Sequence, residues 1–287
     1  MAYTTLIETA ALAGRIGAPN VAIVDCRYKV DDTGFGRRSY DEGHIPGAVF
    51  ADVDHDLSGL KTGANGRHPL PEPTTFAETL GRFGIGNATQ VFAYDQDAGM
   101  YASRLWWLLK WLGHDAVAVV DGGFAKWKRE GRQISNATPA PAAASFVPHL
   151  RPEMAVDAAD VARILTDRSW KLVDARAPER YRGDLEPIDR VPGHIPTAVN
   201  HFYNWNVGED GAFLSADALR EKLKASIGTT ALDHVVCYCG SGVTACQDLL
   251  ALEHAGLTGA KLYPGSWSEW ASDESRPIER GSENGPK

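Results

Sequence analysis

Val21-Ala-Ile-Val-Asp-Cys-Arg27 is a short apolar run that ends in Asp-x-Arg, and Lys171-Leu-Val-Asp-Ala-Arg176 repeats this pattern 149 residues further on. Three more pairs of matching segments follow in the same order along the chain. They are Gly43-His-Ile-Pro46 with Gly193-His-Ile-Pro196, Val91-Phe-Ala-Tyr94 with Val235-Val-Cys-Tyr238, and Gly122-Gly-Phe-Ala-Lys-Trp127 with Gly265-Ser-Trp-Ser-Glu-Trp270. Collinear matches at so long a period indicate two copies of one domain rather than a solenoid of short repeats.

The segment between the copies differs from both in composition. It contains Pro139-Ala-Pro-Ala-Ala-Ala-Ser145, and such a run of prolines and alanines cannot build a core. We therefore predict an extended, fairly stiff linker over residues 134–153, with one domain at 1–133 and the other at 154–287.

Within each copy, short β-branched runs alternate with segments of helical periodicity. In the second copy, strands are predicted at Leu172-Val173, at 234–238 and at Lys261-Leu262, and helices at 156–165, 216–226 and 243–253. Strands that are apolar on both faces and alternate with helices indicate a mainly parallel sheet flanked by helices. The predicted fold class is therefore α/β, as two tandem domains. In such folds the ligand site lies at the carboxyl ends of the strands.

The overall composition excludes several classes of protein. The chain has 287 residues, 44% hydrophobic and 23% charged, with a net charge of -8, which argues against a general nucleic-acid binder. No apolar run approaches a membrane span, and the N-terminal residues do not resemble a signal peptide, so we expect no membrane association and a cytoplasmic location. The four cysteines suit a reducing compartment rather than a disulfide scaffold.

Cys239 lies where the strand at 234–238 ends and the helix at 243–253 begins, in Cys239-Gly-Ser-Gly-Val-Thr-Ala245. Gly240 and Gly242 permit backbone angles that let successive N–H groups form a concave nest for an anion. The positive end of the following helix adds to that field, so a thiol placed there should ionise readily. Cys237, within the strand, and Cys246, one turn into the helix, are interpreted as structural thiols.

The segment Cys239–Ala245 resembles the active-site loop of the rhodanese superfamily, in the form typical of the two-domain 3-mercaptopyruvate sulfurtransferases. Pro264-Gly-Ser-Trp-Ser-Glu-Trp270 and the paired Gly-His-Ile-Pro motifs resemble further signatures of that family, over nearly the whole chain up to Pro277. The resemblance implies a persulfide on Cys239, loaded by a small anionic sulfur donor and discharged to cyanide, a thiol or a thioredoxin-like acceptor, without a cofactor. It also implies an inactive first domain, where Asp95 stands at the position of Cys239.

The resemblance further assigns residues that bind the donor. It places the family's anion-binding arginine at Arg180, and a guanidinium suits a carboxylate or sulfonate. Arg190 is the nearest candidate for a second arginine, in a segment shorter than the family pattern. The loop N–H groups of Gly240, Gly242, Val243 and Thr244 would stabilise the persulfide.

Ser241 stands where many thiosulfate-preferring enzymes of this family carry a basic residue. The resemblance pairs this serine with His68 and Asp54 of the first domain, in a relay that could move a proton as the enolate of pyruvate leaves. We therefore expect transfer from 3-mercaptopyruvate, with thiosulfate:cyanide transfer as the alternative.

Two functions other than sulfur transfer, and a metal site, are also compatible with single features of the sequence. A cysteine phosphatase needs Arg at the sixth position after its nucleophile, and here that residue is Ala245. A metal site is not predicted, because Cys237-Tyr-Cys239 lacks a second pair of ligands. A non-enzymatic persulfide-binding or scaffold module stays open, although it would leave the intact nucleophile loop unexplained.

Overall fold

The computed structural model describes residues 2–281, so position 1 and positions 282–287 of the predicted domains lie outside the described residues. The chain folds into two compact units. The N-terminal unit comprises Met1–Gly59, Leu70–Arg151 and Val207–Phe213, and the C-terminal unit comprises Leu60–Pro69, Pro152–Asn206 and Leu214–Lys287. Each unit therefore includes one short segment that the sequence repeat assigns to the other copy.

The N-terminal unit is built on a parallel sheet. Its strands are β1 (Leu6–Ile7), β2 (Val21–Asp25), β3 (Ala48–Phe50), β4 (Gln90–Tyr94) and β5 (Val117–Val120), in the order β1-β5-β4-β2-β3. Its helices are α1 (Thr9–Ala13), α2 (Phe35–Glu42), α3 (Pro73–Arg82), α4 (Ala102–Trp111) and α5 (Gly123–Arg129). All four residues of β5 are buried, as expected for a strand that is covered on both faces.

The C-terminal unit repeats this plan. Its strands are β6 (Lys171–Asp174), β7 (Val199–Asn200), β8 (Val235–Tyr238) and β9 (Lys261–Leu262), in the parallel order β7-β6-β8-β9. Its helices are α6 (Ala158–Ile164), α7 (Pro178–Arg182), α8 (Ala216–Ile227), α9 (Ala245–His254) and α10 (Ser266–Trp270). The predicted α/β class, with two parallel sheets flanked by helices, is confirmed. The two-residue strand β7 and the short helices α7 and α10 are too brief to give a clear periodicity.

The segment interpreted as a linker is extended, and it is also attached to the N-terminal unit. Residues 136–151 form neither helix nor strand. The backbone N–H of His149 donates to Leu112 O at 2.9 Å, and that of Arg151 donates to Trp111 O at 2.8 Å. The buried ring of Phe146 meets that of His114 edge-on. These contacts hold this segment in place, so it is not a free spacer.

The repeated Asp-x-Arg pairs serve the same structural purpose in both units. The guanidinium of Arg27 bonds the Asp25 carboxylate and donates to Gly43 O at 2.7 Å. Arg176 bonds Asp174 and Gly193 O in the same way. Each buried ion pair thereby ties the end of a strand to the Gly-His-Ile-Pro turn, so these arginines are structural, as their repetition indicates.

Within residues 2–281, no helix combines the length and apolar character that crossing a membrane requires.

Candidate active site

Cys239 follows β8 directly, at the carboxyl edge of the C-terminal sheet. The loop from Cys239 leads into α9, whose first turn begins with the bonds from Cys246 N to Val243 O and from Gln247 N to Thr244 O. Gly242 has a φ of 73°, and a Cβ there would lie 2.3 Å from Pro264 O, so a larger residue would not fit. Cys239 itself is almost fully buried at the N-terminal end of α9.

The first two backbone carbonyls of the loop accept hydrogen bonds from α10. Cys239 O accepts from Trp267 N, and Gly240 O accepts from Ser268 N, each at 2.9 Å. Because a trans peptide points its C=O and N–H in opposite directions, the N–H groups of Gly240 and Ser241 face away from α10. Cys239 N donates to Ser266 Oγ at 3.1 Å. The loop is therefore held by its carbonyl side, and its N–H side is presented as an anion nest.

Ser241 and His68 meet in the C-terminal unit, to which Leu60–Pro69 belongs. The Ser241 Oγ and His68 Nδ1 atoms are 2.7 Å apart, and both side chains are buried. The third residue of the predicted relay, Asp54, belongs to the N-terminal unit, where its carboxylate accepts a hydrogen bond from the Tyr28 hydroxyl at 2.7 Å. Participation of Asp54 stays a prediction.

Arg180, on α7, lies over the loop that begins at Cys239. Its Nη2 and Nη1 atoms are 3.5 and 3.6 Å from the position that a Cβ on Gly240 would take. The same guanidinium is bonded to Glu186 at 2.7 Å and to Asp189 at 3.0 Å. The positive charge next to the loop is thus matched by two buried carboxylates.

The second arginine over the loop is Arg67, which sequence reasoning did not single out. Arg67 Nη2 is 2.8 Å from the Cβ position of Gly240, closer than either Arg180 atom. Arg190, the candidate from the sequence, has a side chain that is 77% exposed and pairs with Glu274 at 2.7 Å. The available signal for Arg67 was its position next to His68 in Arg67-His-Pro-Leu-Pro71.

The pKa values of the two carboxyl groups beside these arginines, Asp189 and Glu186, are shifted in opposite directions. Burial raises the pKa of Asp189, although the charges of Arg67 and Arg180 oppose that rise. Burial also acts to raise the pKa of Glu186, but hydrogen bonds from Arg180 and from backbone N–H groups outweigh it and the pKa is lowered. Of the two carboxyl groups, the arginines therefore favour the ionised form of Glu186 more strongly than that of Asp189.

Asp248, on α9, is a buried carboxyl group that the sequence pattern did not reveal. Its Oδ1 accepts from Asn206 Nδ2 at 2.7 Å, and burial raises its pKa well above the ordinary value. Charge on the nearby Cys239 raises this pKa further. This rise favours the neutral form of the carboxyl group, which opposes a thiolate on Cys239 less than a carboxylate would.

Within the part of the chain that the structure describes, no group of three or more His, Cys, Asp or Glu is placed to hold a metal ion. The four cysteines form no disulfide. The site combines a buried cysteine in an N–H nest with two guanidiniums over the loop and a Ser–His pair. This combination is typical of an enzyme that transfers a group through a covalent intermediate on sulfur.

Comparison with known proteins agrees with this class. The rhodanese-like domain family matches residues 8–130 and 157–273, so the chain belongs to the rhodanese family. The "Probable 3-mercaptopyruvate sulfurtransferase" of Pseudomonas aeruginosa is 42% identical over 283 residues, which cover 98% of this chain and 100% of that protein. The thiosulfate sulfurtransferase of Bos taurus is 32% identical over 278 residues, covering 93% and 92%.

Among solved structures, the 3-mercaptopyruvate sulfurtransferase from Leishmania major superposes with a TM-score of 0.82 at 29% identity, covering 93% of this chain and 74% of that one. The predictions of a duplicated rhodanese architecture and of a sulfurtransferase are confirmed.

Proposed function

We propose that this protein is a 3-mercaptopyruvate sulfurtransferase, which takes sulfur onto Cys239 and passes it to cyanide or a thiol. The observation that carries the proposal is the 2.7 Å contact between Ser241 Oγ and His68 Nδ1 in the nucleophile loop. Ser241 is neutral and stands where many thiosulfate-preferring enzymes of this family carry a basic residue. Its histidine partner can move a proton. The relatives named for 3-mercaptopyruvate transfer support the same donor.

The first half-reaction follows from these groups. The Cys239 thiolate attacks the sulfur of 3-mercaptopyruvate, an S–S bond forms, and the C–S bond breaks. The electron pair of that bond passes to carbon as the enolate of pyruvate, which takes a proton and leaves. Ser241 and His68 supply that proton, and we propose that Asp54 orients the histidine. The Cys239 persulfide then gives its outer sulfur to the acceptor in a second step, so the kinetics should be ping-pong.

The groups around Cys239 suit two negative charges, that of the donor carboxylate and that of the persulfide. The Arg180 guanidinium lies over Gly240 and is suited to the donor carboxylate. The N–H groups of Gly240, Gly242, Val243 and Thr244 are proposed to stabilise the persulfide. Arg190, also assigned to the donor on sequence grounds, would have to leave Glu274 to serve there.

We propose that residues 1–133 form an inactive domain and residues 154–287 the catalytic one. In the first, Asp95 occupies the nucleophile position, and its carboxylate is held by backbone N–H groups of its own loop. A carboxylate cannot form a persulfide, and its charge would repel an anionic donor.

The acceptor is proposed to be cyanide, a small thiol or a thioredoxin-like protein, and the location to be the cytoplasm. Unbridged cysteines and a nucleophile that must return to a thiolate suit a reducing compartment.

A second candidate is thiosulfate:cyanide transfer. The observation that favours it is the pair of guanidiniums over Gly240, because their N–H groups can donate hydrogen bonds to the oxygens of a small sulfur oxyanion. The relative from Bos taurus that is named for thiosulfate supports it as well.

The deciding experiment follows the mass of the intact, reduced protein after limiting 3-mercaptopyruvate or thiosulfate is added. Faster gain of one sulfur from 3-mercaptopyruvate would support the proposal. Faster gain from thiosulfate would favour the second candidate, and no gain from either donor would leave a non-enzymatic scaffold.

A further inference from the structure

We propose that Asp189 is a specificity-determining residue, whose carboxylate disfavours a second negative charge on the sulfur donor. The inference rests on the proposed function, because it concerns the choice between the two donors considered there. At neutral pH 3-mercaptopyruvate carries one charge, on its carboxylate, whereas thiosulfate is a dianion. Asp189 acts through the charge of the site and takes no part in the chemical step.

The first argument is the position of Asp189. Its two oxygens accept from Arg67 Nη1 and from Arg180 Nη2, the latter at 3.0 Å. The Nη2 atoms of these two arginines lie 2.8 and 3.5 Å from the position that a Cβ on Gly240 would take. The carboxylate is therefore bonded directly to the guanidiniums that border the residue after Cys239, where an anionic donor has to arrive.

The backbone holds Asp189 in this position. The Oε1 atom of Glu186 accepts from the N–H groups of Ile188 at 3.1 Å and of Asp189 at 3.0 Å. Glu186 is itself bonded to Arg180 at 2.7 Å. The side chain of Asp189 is only 5% exposed. Asp189 is thus built into the site, unlike a surface carboxylate whose ion pair forms and breaks in water.

The second argument is the balance of charge over the loop. The guanidiniums of Arg67 and Arg180 face the carboxyl groups of Glu186 and Asp189, so the formal charges of the four groups cancel. Because Asp189 is buried, water and salt screen its charge only weakly. The energy of repulsion is proportional to the product of the two charges. This carboxylate therefore opposes a dianion about twice as strongly as a monoanion.

The third argument is that Asp189 differs from Glu186 in its partners. Glu186 bonds Arg176 at 3.3 Å as well as Arg180, and Arg176 belongs to the structural pair with Asp174. Glu186 therefore serves the fold as well as the site. The side-chain bonds of Asp189 go to Arg67 and Arg180, the two guanidiniums over the loop. Its charge can thus be removed with little effect on the rest of the unit.

The ionised form of Asp189 is favoured by its contacts. Both oxygens accept from guanidinium N–H groups, and such charge-assisted bonds stabilise a carboxylate. Burial and the charge of Glu186 act in the opposite direction, and the pKa of Asp189 is raised. Removing the charge by substitution is therefore the direct test of its effect.

The experiment measures persulfide formation on the full chain by rapid quenching and intact mass, over a range of concentrations of 3-mercaptopyruvate or thiosulfate. Asp189→Asn keeps the size of the side chain and removes its charge. We expect the half-saturating concentration to fall about threefold for 3-mercaptopyruvate and, because the repulsion energy doubles, about tenfold for thiosulfate. The maximal loading rate with each donor should change less than about threefold, and so should sulfur transfer from the persulfide to 2-mercaptoethanol, a neutral acceptor.

Asp184→Asn is the matched control, because this carboxylate of the same segment is 58% exposed and pairs with Arg182. It should behave as the wild type with both donors. Asp189→Glu keeps the charge and should keep the wild-type preference between the donors. Asp189→Ser is a second neutral variant and should reproduce the shift of Asp189→Asn, so the test does not depend on the folding of one variant.

Two results would overturn the inference. One is an equal change with both donors in the two neutral variants, or no change, since a purely structural role does not distinguish donors by their charge. The other is a shift towards thiosulfate in Asp189→Glu as large as that in Asp189→Asn, because the charge would then not be the cause.

Failure of the proposed function has a different signature. A wild-type protein that is loaded faster by thiosulfate than by 3-mercaptopyruvate would overturn the proposed donor, while a further shift towards thiosulfate in Asp189→Asn would still support the role of Asp189. A wild type that neither donor loads would overturn both.

Discussion

The loop after β4 and the loop after β8 are held by corresponding backbone hydrogen bonds. They differ in their first side chain, which is Asp95 in one and Cys239 in the other. In the N-terminal unit, Asp95 O accepts from Phe124 N and Gln96 O accepts from Ala125 N, each at 2.9 Å. These bonds correspond to those from α10 to Cys239 O and Gly240 O. Duplication has therefore preserved the means of holding the loop in both copies.

The difference lies in what fills the nest. The Asp95 carboxylate accepts from the N–H groups of Gly99, Tyr101 and Ala102, at 3.0, 2.7 and 3.0 Å. In the C-terminal unit the corresponding position carries the thiol of Cys239. The comparison teaches that the first copy kept its anion nest and occupied it with its own carboxylate, whereas the second presents a nucleophile.

The largest expected effect comes from removing that nucleophile. Cys239→Ser should lower sulfur transfer by at least about 1000-fold, because serine cannot form a persulfide at this site. Intact mass should show no added sulfur, and the circular dichroism spectrum should be unchanged. Cys246→Ser is the control, since its side chain contacts Gly242 O in the same segment and should keep the persulfide. Persisting transfer in Cys239→Ser would contradict the mechanism.

The next effect concerns Asp95 and pH. Burial raises the pKa of this carboxyl to about 6 from an ordinary 3.8, against the opposing N–H bonds. The folded state therefore binds the proton more tightly than the unfolded state, and the stability that protonation supplies is lost as pH rises through about 6. We expect this group to lower the free energy of unfolding by up to about 3 kcal/mol between pH 4 and pH 7.

Urea unfolding of the wild type and of Asp95→Asn at both pH values isolates that contribution. The variant should lose this part of the pH dependence, while Asp217→Asn, at an exposed position, should keep it. Identical pH dependence in wild type and Asp95→Asn would mean that the nest holds Asp95 ionised throughout.

A third effect separates the two donors. Ser241→Ala should slow loading from 3-mercaptopyruvate about 100-fold, because protonation of the leaving enolate loses its relay. Loading from thiosulfate should be nearly unchanged, since sulfite leaves without needing that proton. Rapid-quench intact mass measures both rates, with Ser272→Ala as an exposed control. Equal slowing with both donors would reduce Ser241 to a structural role.

The smallest effect concerns Gly123 and Ser266, the matching residues that lie next to the loops after β4 and β8. Gly123 has a φ of 56°, and a Cβ there would lie 2.8 Å from Asp95 O, so Gly123→Ala should destabilise the protein by about 2 kcal/mol. Ser266, at the matching position, has a φ of 53° and accepts a hydrogen bond from Cys239 N. Ser266→Gly should cost about 1 kcal/mol or less, because relief of backbone strain offsets the lost bond.

Chemical unfolding compares the two variants directly. A larger loss for Ser266→Gly than for Gly123→Ala would show that the hydrogen bond to Cys239 outweighs the backbone strain at this position.

The sequence by itself determined the duplication and the parallel α/β class, and it predicted the position of the nucleophile. These features depend on local patterns: apolar runs, a glycine pair between strand and helix, and repeated motifs whose spacing is read directly. The structural assignment of Arg27 and Arg176 had the same basis, because an arginine that recurs in the copy without the loop cysteine is expected to serve the fold rather than the chemistry.

Only the tertiary structure decided which arginines lie over the loop. Arg67 and Asp189 are separated by 122 residues along the chain, and Arg190, one residue beyond Asp189, points to Glu274 instead. The path of an irregular segment is set by long-range contacts such as that of Gly66 with Gly265, which no local periodicity encodes. A long guanidinium side chain then amplifies small differences in that path, so neighbouring arginines end in different surroundings.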